Sequence, residues 1–169
     1  LLFKVIDARD RLSVQVHPNA ENAGRTGGEP KTEMWVVLDR TPGAMLYAGL
    51  VEGLTPDLLR MSLADGTAAA QLVAHPVDPG QALFIPGGLV HAIGAGCLIY
   101  EVQQNSNTTY RLFDWNRVGA DGRPRTLHIE EGFKTLDWSL PAPQMIDPAE
   151  GDQAGTGWSE VVACDYFNV

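Results

Sequence analysis

Cysteine is scarce in this 169-residue chain: there are two, Cys97 and Cys164, and neither sits in a C-x-x-C pair. Two isolated thiols do not make a disulfide framework. They are expected to be small buried apolar groups in a protein of the reducing cytoplasm. Basic residues are also in deficit. Twelve Lys and Arg face 21 Asp and Glu, a net charge of −9 with a pI near 4.7. Such a surface repels nucleic-acid phosphates and anionic lipid, so neither is an expected partner. A phosphate ester would have to be held by local cations against that field, which draws attention to any Lys or Arg beside a site. Long apolar runs are missing too. Leu1-Leu2-Phe3-Lys4-Val5-Ile6 is short and followed closely by Asp7, Arg9 and Asp10. It reads as a strand, neither a leader nor a membrane span. A chain that starts without Met inside a strand is expected to be a piece of a longer protein.

Glycine (18) and proline (11) are plentiful, which points to many turns and short strands. With 44% apolar and 20% charged residues, the chain can form one domain with a sizeable core. Leu12-Ser13-Val14-Gln15-Val16-His17 alternates with period two, so Leu12, Val14 and Val16 share one face and Ser13, Gln15 and His17 the other. Residues 19–30 read as a polar, mobile loop, and 31–38 as a strand with Lys31 and Glu33 on one face. Further strands are expected at 44–49, 73–77, 82–85, 97–103 and 108–113. Thr55-Pro56-Asp57 offers an N-cap, a proline at the first helical position and an early acid, so 55–72 reads as a helical excursion. A short helix is expected over 127–136 and a last strand over 158–169. Many short strands with glycine-rich turns indicate a sandwich or barrel, whose concave mouth is where chemistry is sought.

Four residues stand out there. Gln15 and His17 point the same way from one strand, Glu33 lies on the next, and His91 closes the spacing Gly80-x5-Pro86-x-Gly88-x2-His91. Two histidines, a carboxylate and an amide oxygen suit zinc and other first-row divalent metals. The glycine spacing around His91 matches the second motif of cupins; Gln15-x-His17 with a distant Glu33 departs from their first.

That departure resembles the type I mannose-6-phosphate isomerase family. Leu12-Ser13-Val14-Gln15-Val16-His17-Pro18, Lys31-Thr32-Glu33-Met34-Trp35 and Pro86-Gly87-Gly88-Leu89-Val90-His91-Ala92-Ile93-Gly94 are similar to its segments. Glu101-Val102-Gln103-Gln104-Asn105-Ser106-Asn107-Thr108-Thr109-Tyr110-Arg111 resembles its shorter bacterial branch. One departure is Pro30, where the family has glycine before the lysine. The resemblance implies a mainly β, cupin-type jelly-roll barrel over residues 1–140, with a helical insert at about 55–72. Residues 141–169 would be a linker and the start of a possible second β-domain. It implies one zinc ion per chain on Gln15, His17, Glu33 and His91, with Arg111 as the catalytic arginine. The implied reaction interconverts mannose 6-phosphate and fructose 6-phosphate, in a cytoplasmic monomer or weak homodimer. Lys31, beside Glu33, is the second catalytic candidate and, like Ser13 and Arg111, a candidate substrate contact. Two other functions fit the donor set: a metal-dependent cupin oxygenase and a non-catalytic sugar-binding cupin. His75 is expected to be exposed and His128 structural. Trp35, Trp115 and Trp138 are expected in core or rim, and Arg117, Arg123 and Arg125 as a solvated basic surface.

Overall fold

A computed structural model describes residues 1–119, 121–147 and 161–167. Among the described residues, nine strands form two antiparallel sheets. The first contains β1 (Leu2–Ala8), β8 (Cys97–Gln103), β3 (Glu33–Arg40) and β6 (Ala82–Ile85), in that order. The second runs β5 (Leu72–Pro76), β4 (Met45–Leu50), β7 (His91–Ile93), β2 (Val14–Val16), β9 (Tyr110–Phe113). The chain is therefore mainly β, as expected, with two facing sheets and no hydrogen-bonded closure into a barrel among the described residues.

Period-two alternation assigns each strand its faces. Trp35 and Val37 of β3, Ile85 of β6 and Ile99 of β8 meet Leu46 and Ala48 of β4 and Ile93 of β7, forming the core between the sheets. The alternate residues face outward and are covered differently on the two sides. Behind the second sheet, Val14, Val16, Ala92 and Leu112 pack against Leu59 of α2 (Pro56–Asp65) and Ile129 and Phe133 of α3 (Ile129–Thr135). Behind the first, Met34 and Val102 lie under Ile146, Val161, Val162 and Phe167.

The helical excursion forms for the reasons visible in its residues. The Thr55 side chain accepts a hydrogen bond from Leu58 N, Pro56 occupies the first turn, and Gly66 closes the helix in a left-handed conformation. Residues Ala68–Gln71 add a 3₁₀ turn. None of the helices described is long and apolar enough to cross a membrane.

Three expectations need correcting, and a fourth lies largely outside the described residues. The loop over 19–30 contains α1 (Ala23–Thr26), organised by Asn19 and Asn22, whose side chains accept hydrogen bonds from nearby backbone N–H groups. Leu12 does not join Val14 and Val16. The β2–β9 register shifts at Val14/Gln15, and Leu12 packs against the core between the sheets. His75 is buried, because it pairs with inward-facing Leu46; its Nε2 lies 3.1 Å from the Ala48 carbonyl oxygen. The expected strand over 158–169 falls largely outside the described residues; within 161–167 there is only a bridge at Ala163.

Gly94 N donates to the Met45 carbonyl at 3.0 Å, and a Cβ at Gly94 would press directly on that oxygen. Gly94→Ala is expected to cost about 1–3 kcal/mol in urea unfolding. Gly24→Ala, in open space on α1, should leave stability unchanged or raise it by up to about 1 kcal/mol.

Candidate metal centre

The short strand β2 sets the geometry. Gln15 pairs with His91 of β7 on one side and with Arg111 of β9 on the other. Cross-strand partners stand about 5 Å apart, so His91, Gln15 and Arg111 form a row across the sheet. His17 follows two residues after Gln15, and Glu33 reaches in from the opposing sheet.

The turn before β7 explains the glycine spacing around His91. Gly88 has φ 93°, and its N–H donates to the His17 carbonyl at 2.7 Å. Only glycine adopts that conformation freely. A side chain at Gly87 would collide with Pro18. The two histidine-bearing segments are thus locked together by backbone contacts.

His17, Glu33 and His91 are each about 1% exposed. Nε2 of His17 lies 3.3 Å from Glu33 Oε1, and Nε2 of His91 lies 3.7 Å from Oε2. One donor atom from each of the three falls within 4.8 Å of the others. The far ring nitrogens fix the tautomers. Nδ1 of His17 is 2.8 Å from the Thr108 carbonyl, and Nδ1 of His91 is 2.8 Å from that of Leu89. A carbonyl only accepts, so Nδ1 carries the proton and Nε2 turns a lone pair inward. Gln15 Nε2 is 3.5 Å from His91 Nε2, and a half-turn of the amide would present Oε1 there instead. Lys31, buried as well, sets Nζ 2.5 Å from Glu33 Oε1 and 3.2 Å from His17 Nε2.

The electrostatics favour a ligand set. Burial alone would raise the Glu33 pKa. The neighbouring His17, His91 and Lys31 outweigh it and hold the carboxyl below its usual range. Burial, followed by the charge of His17, pushes His91 down to about 3 against the opposing pull of Glu33, so this imidazole is neutral at physiological pH. Neither Glu33 oxygen has a well-formed hydrogen bond, despite the close Lys31 ammonium. A buried anionic carboxylate with open lone pairs, facing two imidazole lone pairs, is a donor set that fits a divalent cation.

Beside Gln15 opens a cleft of about 640 Å³, lined among others by Ser13, Arg111, Asp114, Arg117 and Arg125. Ser13 Oγ is 3.4 Å from Gln15 Oε1. Arg111 donates from Nη1 to the Thr126 carbonyl at 2.8 Å, and its Nε is buried without a partner. His128 is structural, its Nδ1 accepting from Arg111 N at 3.2 Å. Arg117 and Arg125 are not simply a solvated surface: both bind Asp114, while Arg123 lies outside the cleft lining. Sequence reasoning missed Asp114 and the Thr108 carbonyl. Asp114 carries one signal, an acid ending a β run within eleven residues of four arginines.

No family model matches the chain. It is 39% identical over 170 residues to a mannose-6-phosphate isomerase of Streptococcus mutans, covering all of this chain and 53% of that protein. It is 37% identical over 172 residues to a mannose-6-phosphate isomerase of Bacillus subtilis, again over the whole chain and 54% of the relative. The crystal structure of a Bacillus subtilis mannose 6-phosphate isomerase superposes with a TM-score of 0.75 at 30% identity, covering 83% of this chain and 45% of that one. A mannose 6-phosphate isomerase bound with zinc and yttrium shares the fold, with a TM-score of 0.57 at 17% identity over 82% of this chain and 54% of that one. The chain spans about half the length of the curated relatives it matches.

Two predictions follow from the cluster. Glu33→Gln and His91→Ala should each lower Zn²⁺ affinity in calorimetric titration by more than the ~10–100-fold seen on losing an outer hydrogen-bond partner. Wild-type affinity in both variants would rule the cluster out as a metal site. In metal-free protein, His91 and Glu33 both have depressed pKa values when folded, so the unfolded chain binds more protons below the ordinary histidine value of 6.5. Stability in urea should therefore fall as pH is lowered from about 6.5, and His91→Asn should flatten that slope.

Proposed function

The chain is a homologue of bacterial mannose-6-phosphate isomerases, and from that premise we propose that it carries the metal-binding catalytic half of a zinc-dependent aldose–ketose isomerase. The substrate pair is mannose 6-phosphate and fructose 6-phosphate. The observation that carries the reading is the buried His17–Glu33–His91 cluster, its carboxylate oxygens open, beside a cleft lined by Gln15 and Arg111. The acidic chain and its two free thiols accord with a cytoplasmic enzyme acting on a small phosphorylated hexose. A monomer or weak homodimer is the proposed state.

Gln15, His17, Glu33 and His91 are the proposed zinc ligands. Bound there, zinc supplies Lewis acidity to a substrate oxygen without redox chemistry of its own. In the forward direction the C2–H bond of the opened aldose breaks, and the proton is delivered to C1. The O2 hydroxyl loses its proton as O1 gains one, so the net change moves the carbonyl from C1 to C2. Between the two transfers, negative charge builds on the sugar oxygens. Arg111, a permanent cation one strand from Gln15, is positioned to stabilise that charge and is too weak a base to take the proton. Lys31 is buried against His17 and Glu33, within reach of a substrate hydroxyl held at the cluster. Its proposed role is to hold or relay the hydroxyl proton, and the Ser13 hydroxyl is a further contact at the cleft floor.

Two histidines and one carboxylate also form the facial triad of iron oxygenases. The Gln15 amide, 3.5 Å from His91 Nε2, would add a fourth protein donor where such enzymes leave positions open, which favours the isomerase. Oxygen uptake dependent on iron and substrate would reverse that preference.

The test couples mannose 6-phosphate turnover to fructose 6-phosphate detection, on this chain and on a protein of the relatives' full length. Chelation should abolish activity and zinc should restore it. Arg111→Ala should lower kcat by about a hundredfold or more with zinc content unchanged. Silence of both zinc-loaded proteins, or near-wild-type turnover in Arg111→Ala, would overturn the proposal.

A further inference from the structure

The cleft beside Gln15 is strongly basic in an acidic protein. Four arginines line it, Arg11, Arg111, Arg117 and Arg125, against two aspartates, Asp10 and Asp114, in a chain of net charge −9. Asp114 is the organising group. Its side chain is 8% exposed. It accepts from Arg125 Nε at 2.8 Å, from a second Arg125 nitrogen, and from Arg117 Nη2 at 2.7 Å. Arg117 Nη1 is further pinned to the Arg11 carbonyl at 2.6 Å. The hydrogen bond from Arg125 is the main cause of an Asp114 pKa held near 2, so the carboxylate is charged at any working pH.

One carboxylate orients two guanidiniums but cannot neutralise them together with Arg111. Among the described residues, Nη2 of Arg111 and Nη1 of Arg125 have no partner, and Nε of Arg111 is buried without one. Burial and then Arg125 lower the Arg111 pKa, the direction expected where positive charge is in surplus.

The backbone points the same way. Trp115 and Asn116, between Asp114 and Arg117, both have φ 57°, a conformation costing about 1–3 kcal/mol at each non-glycine residue. Three contacts hold the turn: Trp115 Nε1 donates to the Leu12 carbonyl at 2.6 Å, Arg11 lies 4.3 Å over the indole, and Asn116 Nδ2 donates to the Gly66 carbonyl at 3.1 Å. The turn brings Asp114 and Arg117 to the cleft that Arg111 and Gln15 share.

We propose that Arg117 and Arg125, oriented by Asp114, form the subsite for the phosphate group of the substrate, with Arg111 between that group and the His17–Glu33–His91 cluster. The assignment rests on the isomerase reading for the identity of the sugar. Its chemistry is independent of it: paired, pre-oriented guanidiniums bind a tetrahedral dianion through several charge-assisted hydrogen bonds. They also give the acidic chain a local positive mouth that draws in an anionic substrate.

The first measurement is calorimetric titration of inorganic phosphate into metal-free chain, so that phosphate on a metal is not counted. Arg125→Ala and Arg117→Ala should each weaken binding tenfold or more. Arg125→Lys should recover part of the loss, and Arg123→Ala, removing equal charge outside the cleft, should bind as wild type. The second is steady-state kinetics on the zinc-loaded protein. Arg125→Ala should raise KM for mannose 6-phosphate tenfold or more and leave kcat within about threefold. Phosphate binding unchanged in Arg117→Ala and Arg125→Ala, or weakened equally in Arg123→Ala, overturns the subsite. So does a fall in kcat at constant KM. If wild type does not turn over mannose 6-phosphate, the phosphate titration alone decides, and a selective loss there supports an anion subsite while the isomerase reading fails.

Discussion

The structure depends on one buried carboxylate. Glu33 enters from the first sheet into a space otherwise filled by Trp35, Ile85 and Leu46, where an unpaired charge costs several kcal/mol. It remains ionised because His17, His91 and Lys31 surround it. Each brings a requirement of its own. The histidines need Nδ1 acceptors behind them, supplied by the Thr108 and Leu89 carbonyls. The lysine needs the chain before β3 fixed, and Lys31 N donates to the Pro18 carbonyl at 2.9 Å. Much of the loop structure around the cluster serves to keep one negative charge stable in an apolar sandwich. A divalent cation satisfies the same requirement from the other side, which is why a protein of this design and a metal site are hard to separate.

The burden of alignment falls on β2, three residues long. A strand this short has little stability of its own, yet it sits between β7 and β9 and supplies the middle of the His91–Gln15–Arg111 row. It is held by its neighbours. Val14 and Val16 are buried under α2 and α3, and the Gly88 N–H ties the end of the strand to the turn before β7. The helices, remote from the chemistry, act on it by clamping the outer face of this strand.

What could be read from the residues, and what could not, divides along the reach of the interactions. Gly80-x5-Pro86-x-Gly88-x2-His91 is local, and its reason, a left-handed glycine before the histidine strand, is in the spacing itself. The cap at Thr55 and the stop at Gly66 are equally local. A histidine before a proline, as at His75, reads as exposed. Its burial follows from pairing with Leu46, and a pairing register has no mark in a single strand. The Thr108 carbonyl, 91 residues from His17, is a backbone atom whose residue identity is nearly irrelevant. Arg117 and Arg125 read as scattered surface charge because nothing in their spacing reveals that one carboxylate gathers them. The basic row was visible in the sequence; its convergence is a property of the turn.

That turn also bears on how an acidic protein admits an anionic ligand. A uniform excess of negative charge favours solubility and opposes phosphate at long range. Screening confines that opposition to roughly 8 Å at physiological salt, so a cleft decides the matter by its own nearest charges. By the count of donors alone Asp114 weakens a phosphate-binding mouth, since it takes up guanidinium N–H groups itself. Its effect is the reverse when orientation is counted. Free arginine side chains lose rotamer entropy on gripping a ligand, whereas Arg117 and Arg125 are already held before anything binds. The strain stored at Trp115 and Asn116 is the local cost of keeping Asp114 where it can do so. The cluster around Glu33 and the cleft around Asp114 thus use the same device with opposite signs: a single carboxylate, fixed by cations, prepares a site for a charge that arrives from outside.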